Sequence, residues 1–319
     1  MALSGNGMRL CAFRAGLWKP RTRPGGFEGV GEAGIPWLLR VKEELHLPVA
    51  VEVATPVHLE AVLKAGLDMV WIGARTVTNP FAVQELADCL KGADIPVFVK
   101  NPINPDPQLW MGAIERLRKA GISRVSAIHR GFSFYEESRY RNAPKWKVPV
   151  DLKRLMPDVP LYCDPSHICG CREYLGEVSQ MAIDLGFDGL FVESHVNPDA
   201  ALSDAGQQLS PAQLQDLLNS LIVKSSTASD AEILSQIEAL RGQIDRIDDE
   251  LLDLLAARMQ VSSQIGECKK RGNVQILQQS RWDEVLGSAL KGASQRGLDT
   301  DVVRAIFEAI HHASIKKQI

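Results

Sequence analysis

The sequence lacks a strong charge excess, a long apolar run and a regular cysteine pattern. Lys and Arg nearly balance Asp and Glu, and the formal net charge of -3 favours neither nucleic acid nor a membrane surface as a partner. No stretch approaches the roughly 18 apolar residues of a transmembrane helix, and residues 1–10 lack the charged start and apolar middle of a secretory signal. The six cysteines follow no disulfide or zinc-ribbon spacing, which indicates a reducing compartment. We therefore expect a cytoplasmic protein without nucleic-acid or membrane partners.

The chain is long enough for two domains, and a short polar segment separates two sequence patterns. At 319 residues, 45% of them hydrophobic, it can bury more than one core. Strand-like and helix-like segments alternate up to about residue 222, and residues 224–229 interrupt this alternation with small polar side chains. The remaining sequence is helical in pattern. We expect a first domain at 1–223, a linker at 224–230 and an all-α domain at 231–319.

Seven short apolar runs in the first domain each precede a charged or metal-ligating residue. The runs are Leu10–Phe13, Pro48–Val51, Met69–Gly73, Pro96–Val99, Val125–Ile128, Pro160–Cys163 and Gly189–Val192. Helix-length segments separate them, among them Val57–Ala65, Asp106–Ala120 and Gly176–Leu185. This alternation is typical of an α/β fold, a (β/α)8 TIM barrel with its chemistry at the carboxyl ends of the strands. Because a complete barrel has eight strands, we expect one that lacks its first strand.

Charged side chains at these strand ends form two groups with different chemistry. Six cations are predicted to converge on the barrel mouth and to bind a ligand with several negative charges: Arg14, Lys19, Arg21, Arg75, Lys100 and Arg130. Scattered surface cations are the alternative. His167, Glu193 and Asp204 lie on or just after the last two strands, and an imidazole with two carboxylates suits a divalent transition metal. A structural histidine is the alternative for His167.

Eight short motifs occur in the order seen in 3-deoxy-D-arabino-heptulosonate 7-phosphate (DAHP) synthase. They are Phe13-Arg14-Ala15-Gly16, Lys19-Pro20-Arg21-Thr22-Arg23-Pro24, Ile72-Gly73-Ala74-Arg75, Val99-Lys100-Asn101, His129-Arg130-Gly131, Asp164-Pro165-Ser166-His167, Val192-Glu193-Ser194-His195 and Ala201-Leu202-Ser203-Asp204. Over residues 10–222 the chain resembles the type Iβ branch of this family. The resemblance implies an aldol-like condensation of phosphoenolpyruvate with erythrose 4-phosphate, followed by phosphate release.

The resemblance also implies roles for the strand-end residues. Five cations would hold phosphoenolpyruvate, with the two lysines as catalytic residues: Arg14, Lys19, Arg75, Lys100 and Arg130. Arg21 and Thr22 would receive the phosphate of erythrose 4-phosphate, and Glu52 would order water beside the enol. Mn2+ or a similar divalent ion would polarise the aldehyde, held by His167, Glu193 and Asp204.

The family's fourth metal ligand, a cysteine in a Gly-Pro-Cys motif at the first strand, has no counterpart in this sequence. Cys11 is nearest in position, but it precedes Arg14 by three residues, and side chains an odd number apart point to opposite faces of a strand. We therefore expect the chain to be N-terminally truncated or its start to be assigned too far downstream. In either case we expect a weakened metal site and low synthase activity.

The helical domain contains a second set of candidate site residues. The apolar spacing predicts one long helix from Ser229 to about Lys270, and two more at Gln279–Lys291 and Thr300–Gln318. Arg258 and Lys269 share a face of the first helix, and Ser314 and Gln318 share a face of the last. Arg241 lies roughly 25 Å from Arg258 along the same helix, so it can reach only the equivalent site of a partner chain. A charged face on a coiled-coil dimerisation arm is the alternative.

Residues 231–319 resemble the all-helical chorismate mutase along their whole length. The resemblance rests on Leu240-Arg241, Leu254-Leu255-Ala256-Ala257-Arg258, Lys269, Arg281, Phe307, Ser314 and Gln318. It implies that carboxylates of the substrate bind to Arg241 of a partner chain, Arg258 and Arg281, with help from Ser314. Lys269 and Gln318 would donate hydrogen bonds to the ether oxygen in a rearrangement that needs no cofactor. Gln278 and Trp282 replace the Asp and Glu that usually contact the substrate hydroxyl.

Two functions remain open from the sequence. The first is a bifunctional shikimate-pathway enzyme that forms DAHP and also converts chorismate to prephenate. The second is a chorismate mutase whose barrel is catalytically inactive and serves for binding or regulation. In both, the mutase helices are expected to form a homodimer.

Overall fold

The computed structural model describes residues 8–19, 25–135, 138–224 and 231–318. The chain divides into two compact units, residues 1–226 and 227–319. The predicted site residues Arg21 and Thr22 lie outside the described residues, as do the predicted helix start at Ser229 and most of the predicted linker at 224–230. Among the described helices, none has the length and apolar character needed to cross a bilayer.

The first unit is built on a parallel sheet whose strands follow the order of the chain. Its described strands are β1 (Phe13–Ala15), β2 (Val49–Val53), β3 (Met69–Ile72), β4 (Val97–Lys100), β5 (Val125–His129), β6 (Leu161–Cys163) and β7 (Gly189–Leu190). Each pairs in parallel with the next, and the sheet curls into a half-barrel. The structure confirms the prediction of a TIM-like barrel with one strand fewer than the complete fold.

Helices cover the outer face of this sheet. They are α1 (Ile35–Leu45), α2 (Pro56–Ala65), α3 (Ala74–Val77), α4 (Pro80–Cys89), α5 (Pro107–Lys119), α6 (Lys147–Leu155), α7 (Pro165–Cys169), α8 (Leu175–Asp184) and α9 (Pro211–Ser220). Several begin with a capping side chain followed by proline, which has no N–H to leave unpaired in the first turn. Thr55 caps α2, Asp106 caps α5, and Ser210 with Gln213 forms a capping box at α9.

The pleat of the sheet separates two sets of side chains. Ala50, Trp71 and Ile128 form the inner cluster, with Phe98, Tyr162 and Phe191 packed against them. Residues two apart on a strand share a face, so Glu52 and Lys100 lie on the same inner side. The alternate residues face the helices and form the main core, which includes Val51, Val99 and Ala127.

The second unit contains three helices, α10 (Ala231–Arg271), α11 (Gln279–Gln295) and α12 (Thr300–Gln318). The bounds of α12 are the predicted ones, α10 ends one residue after its predicted end, and α11 ends four residues after its predicted end. The helix α10 is about 60 Å long. It passes very close to the end of α12, since a Cβ at Gly266 would lie 2.7 Å from the Cα of Gln318. Much of its apolar stripe is exposed, including Ile244, Ile247 and Leu251.

Candidate functional site

The centre of the barrel site is Asp164, which directly follows β6. Its side chain is fully buried, and its Oδ2 lies 2.8 Å from both Lys100 Nζ and His167 Nδ1. Burial raises the pKa of Asp164, but His167 and Lys100 outweigh it and hold the pKa well below its ordinary value. The carboxylate therefore stays charged and compensates the buried Lys100.

Asp164 also determines where His167 lies. Its Oδ1 accepts a hydrogen bond from the backbone N–H of His167, and Pro165 occupies the first turn of the short helix α7. This capped turn directs the imidazole back over the strand ends. Burial lowers the pKa of His167, so the ring favours its neutral form.

Glu193 lies beside His167 at the end of β7. Its backbone N–H donates to Ser166 Oγ at 2.9 Å, and its Oε1 lies 3.6 Å from Arg14 Nη2 and 4.0 Å from His167 Nε2. Gln207 donates to the other oxygen, Oε2, at 2.7 Å. Burial raises the pKa of Glu193, but His167 and Arg14 bring it below its ordinary value. Glu193 is therefore a largely buried carboxylate that stays charged beside Arg14 and accepts from Gln207.

Aromatic rings lie beneath the cations. The guanidinium carbon of Arg14 lies 4.4 Å from the centre of the Phe191 ring and 5.8 Å from that of Trp71, and Lys100 Nζ lies 5.9 Å from Phe191. Such contacts favour a cation over the ring face and exclude water from one side of it. Trp71 Nε1 also donates to Glu52 Oε2 at 3.0 Å.

Lys19 and Asp204 lie beside each other, with Asp204 on the segment that follows β7. Lys19 Nζ donates to Ser203 Oγ at 2.6 Å and lies 4.0 Å from Asp204 Oδ2. Arg141 donates to Asp204 Oδ1 at 2.8 Å. Burial raises the pKa of Asp204, but Arg141 outweighs it and the pKa falls below its ordinary value. Asp204 also has a φ of 53°, a left-handed conformation that few side chains other than Asp and Asn tolerate.

Arg130 directly follows β5, and two asparagines accept hydrogen bonds from it. Asn101 Oδ1 accepts from the Arg130 backbone N–H at 2.6 Å, and Asn142 Oδ1 accepts from Arg130 Nη1 at 2.7 Å. Burial lowers the pKa of Arg130 to about 10, so the side chain stays charged near neutral pH. Its charge also interacts with those of Arg75 and Glu52, among others.

Most of the predicted barrel residues come together at this edge. The structure places nine of them there: Arg14, Lys19, Glu52, Arg75, Lys100, Arg130, His167, Glu193 and Asp204. Arg75 is the exposed member, on α3. Sequence reasoning missed the supporting residues, namely Asp164, Asn101, Asn142, Arg141 and Gln207. Of these, Asp164 had a visible signal, because it is an acidic residue immediately after an apolar run.

The donors present fit a divalent ion in part. His167 Nε2 faces Glu193 Oε1, while the other ring nitrogen faces Asp164, an arrangement that orients a metal-binding imidazole. Imidazole and carboxylate ligands suit Mn2+ and related ions. Asp204 instead accepts a hydrogen bond from Arg141. In the described parts of the chain, no group of three or more His, Cys, Asp or Glu side chains is arranged to hold an ion.

A second site lies between α10 and α12. Arg258 Nη1 donates to Ser314 Oγ at 2.6 Å, and Ser262 Oγ lies 3.3 Å from the same hydroxyl. Lys269 Nζ donates to Gln318 Oε1 at 3.1 Å and to the carbonyl of Ile276 at 2.6 Å. Four predicted residues therefore form two hydrogen-bonded pairs between the helices, in which Arg258 and Lys269 donate and Ser314 and Gln318 accept.

The other two predicted arginines have different partners within the single chain. Arg241 donates to Glu238 and Arg281 to Glu284, both on exposed helix surface. Trp282 stacks on His311 with ring centres 4.0 Å apart. Burial lowers the pKa of His311, and the charge of Arg258 lowers it further. The stacked pair of Trp282 and His311 therefore lies near Arg258.

Comparison with known proteins identifies a family for each of two parts of the chain. The DAHP synthetase I family matches residues 4–228, and chorismate mutase type II matches residues 240–319. A phospho-2-dehydro-3-deoxyheptonate aldolase of Thermotoga maritima is 28% identical over 209 residues, covering 66% of this chain and 60% of that protein. A 2-dehydro-3-deoxyphosphooctonate aldolase of Desulfotalea psychrophila is 29% identical over 227 residues, covering 66% of this chain and 76% of that protein.

Solved structures give the same result for the fold. The crystal structure of the Thermotoga maritima DAHP synthase matches with a TM-score of 0.56 and 26% identity, over 64% of this chain and 57% of that one. This chain thus spans less than two thirds of the Thermotoga relative. Enzymes of this family generally depend on a metal ion, and the matches do not support an inactive barrel. The chain belongs to the DAHP synthetase I family and carries a C-terminal chorismate mutase type II domain.

Proposed function

We propose that the barrel condenses phosphoenolpyruvate with erythrose 4-phosphate to form DAHP and phosphate. The observation that carries this proposal is the buried chain of Lys100, Asp164 and His167, with Arg14 and Arg130 beside it. A dianionic phosphate and a carboxylate need several fixed cations, and buried cations bind them far more strongly than exposed ones.

In this proposal each group acts on a particular part of the substrates. Arg130 and Arg75 bind the phosphate of phosphoenolpyruvate, and Arg14 and Lys100 bind its carboxylate side. Lys19 is a further ligand of phosphoenolpyruvate, and Glu52 holds a water for the carbon that loses phosphate. The new bond joins the methylene carbon of phosphoenolpyruvate to the aldehyde carbon, and water supplies the oxygen that replaces phosphate.

We also propose that His167, Glu193 and Asp204 hold a divalent ion, with Mn2+ as the first candidate. When bound, such an ion acts as a Lewis acid toward the aldehyde oxygen. The proposal draws support from the neutral His167, the buried Glu193 and the family's general dependence on metal. Replacing His167 by Ala should abolish Mn2+ binding measured by titration calorimetry.

The test of the synthase is phosphate release from phosphoenolpyruvate that depends on erythrose 4-phosphate. Because the sequence has no counterpart of the family's Gly-Pro-Cys cysteine ligand, we expect this release to be slow, and each variant is compared with the unmodified chain. Lys100→Ala should lower kcat at least about a hundredfold, because it removes a buried charge from the site. Lys91→Ala, which loses an exposed ion pair with Asp88, should keep full activity. The octonate relatives form a product one carbon longer. Release of phosphate only with a sugar one carbon longer than erythrose would therefore favour their reaction instead.

We propose that the helical unit converts chorismate to prephenate. Arg258 with Ser314 would bind a carboxylate, and Lys269 with Gln318 would stabilise the charge that develops on the ether oxygen. Lys269→Ala should lower kcat by at least about a hundredfold, because its donor acts mainly in the transition state. Arg258→Ala should mainly raise KM. Equal effects of both variants on both parameters would contradict these roles.

We further propose that a homodimer completes this site, with Arg241 contributed by the partner. The support is the distance along α10, since Arg241 lies roughly 25 Å from Arg258 in its own chain. Co-expressed Arg241→Ala and Lys269→Ala chains should regain some activity, because one site of the mixed dimer has both residues. If the mixture stays as inactive as each parent, the partner assignment is wrong. We place both reactions in the cytoplasm.

A further inference from the structure

The segment before α6 lies firmly against the end of α7. The backbone N–H of Arg141 donates to the carbonyl of Cys169 at 3.2 Å, and that of Asn142 donates to the carbonyl of Ile168 at 3.1 Å. Gly170 has a φ of +70°, and a Cβ there would lie 2.5 Å from the Cβ of Arg141. Glycine at this position therefore allows Arg141 to lie against the helix that carries His167.

The Arg141 side chain supports both carboxylates of the proposed metal site. Its Nη1 donates to Asp204 Oδ1 at 2.8 Å and to Gln207 Oε1 at 3.0 Å. Gln207 is 1% exposed, and its amide donates to Glu193 Oε2 at 2.7 Å. Arg141 thus orients Asp204 directly and Glu193 through Gln207.

The Asn142 side chain points toward the phosphate-binding side. Its Oδ1 accepts from Arg130 Nη1 at 2.7 Å, and its Nδ2 donates to the backbone carbonyl of His167 at 2.6 Å. Asn142 is 6% exposed, so both bonds are shielded from water. One amide therefore connects the Arg130 guanidinium to the turn that carries His167.

We propose that Arg141 and Asn142 are positioning residues that keep the anion-binding and metal-binding halves of the barrel site in register. Arg141 serves the carboxylates, and Asn142 serves Arg130. The proposal rests on the proposed synthase function. Its physical basis is that partners behind a ligand fix its orientation, and losing one typically costs about ten- to a hundredfold in affinity.

The experiment measures Mn2+ and phosphoenolpyruvate binding separately, by calorimetric titration of the full chain. Arg141→Gln should weaken Mn2+ binding about tenfold and phosphoenolpyruvate binding much less. Asn142→Ala should weaken phosphoenolpyruvate binding more than Mn2+ binding, because Arg130 loses its side-chain acceptor while the turn that carries His167 keeps its cap from Asp164. Arg141→Lys keeps a donor and should recover most of the Mn2+ affinity. A melting curve of each variant establishes that it is folded.

Arg139→Gln is the matched control, since Arg139 lies two residues away in the same segment and pairs with Glu177 instead of a carboxylate of the site. It should leave both affinities unchanged. If Arg141→Gln and Asn142→Ala weaken both ligands in equal proportion, or neither, the positioning roles are wrong. A wild-type chain that binds neither ligand would instead contradict the proposed synthase function.

Discussion

Asp164 is the residue on which the charge balance of the barrel site depends. Asp164 has no solvent access and contacts both Lys100 and His167. Removing its carboxylate would leave the Lys100 charge uncompensated and the His167 ring nitrogen without its neighbour. A buried pair contributes little net stability as a unit, but removal of one member is costly.

Asp164→Asn should therefore lower the free energy of unfolding of the first unit by about 3–5 kcal/mol at neutral pH. The wild-type pKa is depressed, so the stabilisation is present above the ordinary pKa of an aspartate and is lost as pH falls through the lower folded value. Urea denaturation at pH 7 measures the loss. Asp158→Asn, which breaks an exposed ion pair with Arg118, should change little. Equal losses in both variants would contradict the role of burial.

His129 is next to Arg130 in sequence but belongs to the core. It follows Ile128 by one residue, so it faces the helices, where its ring is fully buried among Trp110, Phe132 and Trp146. Burial lowers its pKa from 6.5 to about 3. The unfolded chain therefore takes up a proton over a pH range in which the folded chain does not.

The contribution of neutral His129 to the free energy of unfolding is thus fully present above pH 6.5 and is lost as the pH falls toward 3. His129→Phe, which suits the aromatic surroundings, should make the free energy of unfolding fall less steeply between about pH 6 and pH 4. Denaturation at a series of pH values measures this slope. His312→Gln, at an exposed histidine, should leave the slope unchanged. An unaltered slope in His129→Phe would show that the folded ring is already protonated there.

At the scale of elements, the contact of α10 with α12 depends on Gly266. An added Cβ would meet backbone atoms of Gln318 at 2.7 and 3.0 Å, and backbone cannot move aside as a flexible side chain can. Gly266→Ala should push the end of α12 away, separate Gln318 from Lys269 and lower mutase kcat by up to about a hundredfold.

Gly287→Ala on α11 is the matched control, because nothing lies within 4 Å of its added Cβ. It should stabilise the helix by about 0.5–1 kcal/mol and leave kcat unchanged. Steady-state kinetics with chorismate, together with melting temperatures, separates the two effects. Full activity in Gly266→Ala would show that the helices tolerate a wider separation.

The elements that sequence analysis predicted best are those with strong local signals. The helices α10 to α12 have periodic apolar residues over many turns. The structure has α12 at its predicted bounds and the end of α10 one residue from the predicted one, while α11 continues four residues beyond its predicted end. Strand ends differ from the predicted ones by up to three residues, because pairing with a neighbour decides where a strand ends. Glu52, for example, is predicted just after the second apolar run but lies inside β2, where it pairs with Trp71 of β3. Arg141 and Gln207 could not be predicted, since their partners lie far away in the chain and only the tertiary fold brings them together.

At the scale of the whole molecule, the exposed stripe of α10 is the surface that the proposed homodimer would cover. Ile244, Ile247, Leu251 and Leu254 recur at helical spacing, and each is more than half exposed in the single chain. Ile247→Lys should raise the dimer dissociation constant by at least about tenfold, since a charge buried without a partner costs more than ~1.4 kcal/mol. Sedimentation velocity over a concentration series measures it. Asp249→Lys, on the opposite face of the helix, should leave the dimer intact. An unchanged dimer in Ile247→Lys would exclude this stripe as the interface.

The two outermost strands of the described sheet meet through side chains. β1 forms backbone hydrogen bonds with β2 and β7 with β6, and the described pairing does not join β1 to β7. Yet Arg14 on β1 reaches both Glu193 and the Phe191 ring just beyond β7. These side-chain contacts connect the two edge strands of the half-barrel, which share no backbone hydrogen bonds in the described pairing. An anion that binds Arg14 competes with Glu193 for the same guanidinium. We therefore expect ligand binding to weaken the contact between Arg14 and Glu193. The proposed substrate site and the contact between the two edge strands therefore share one residue, Arg14.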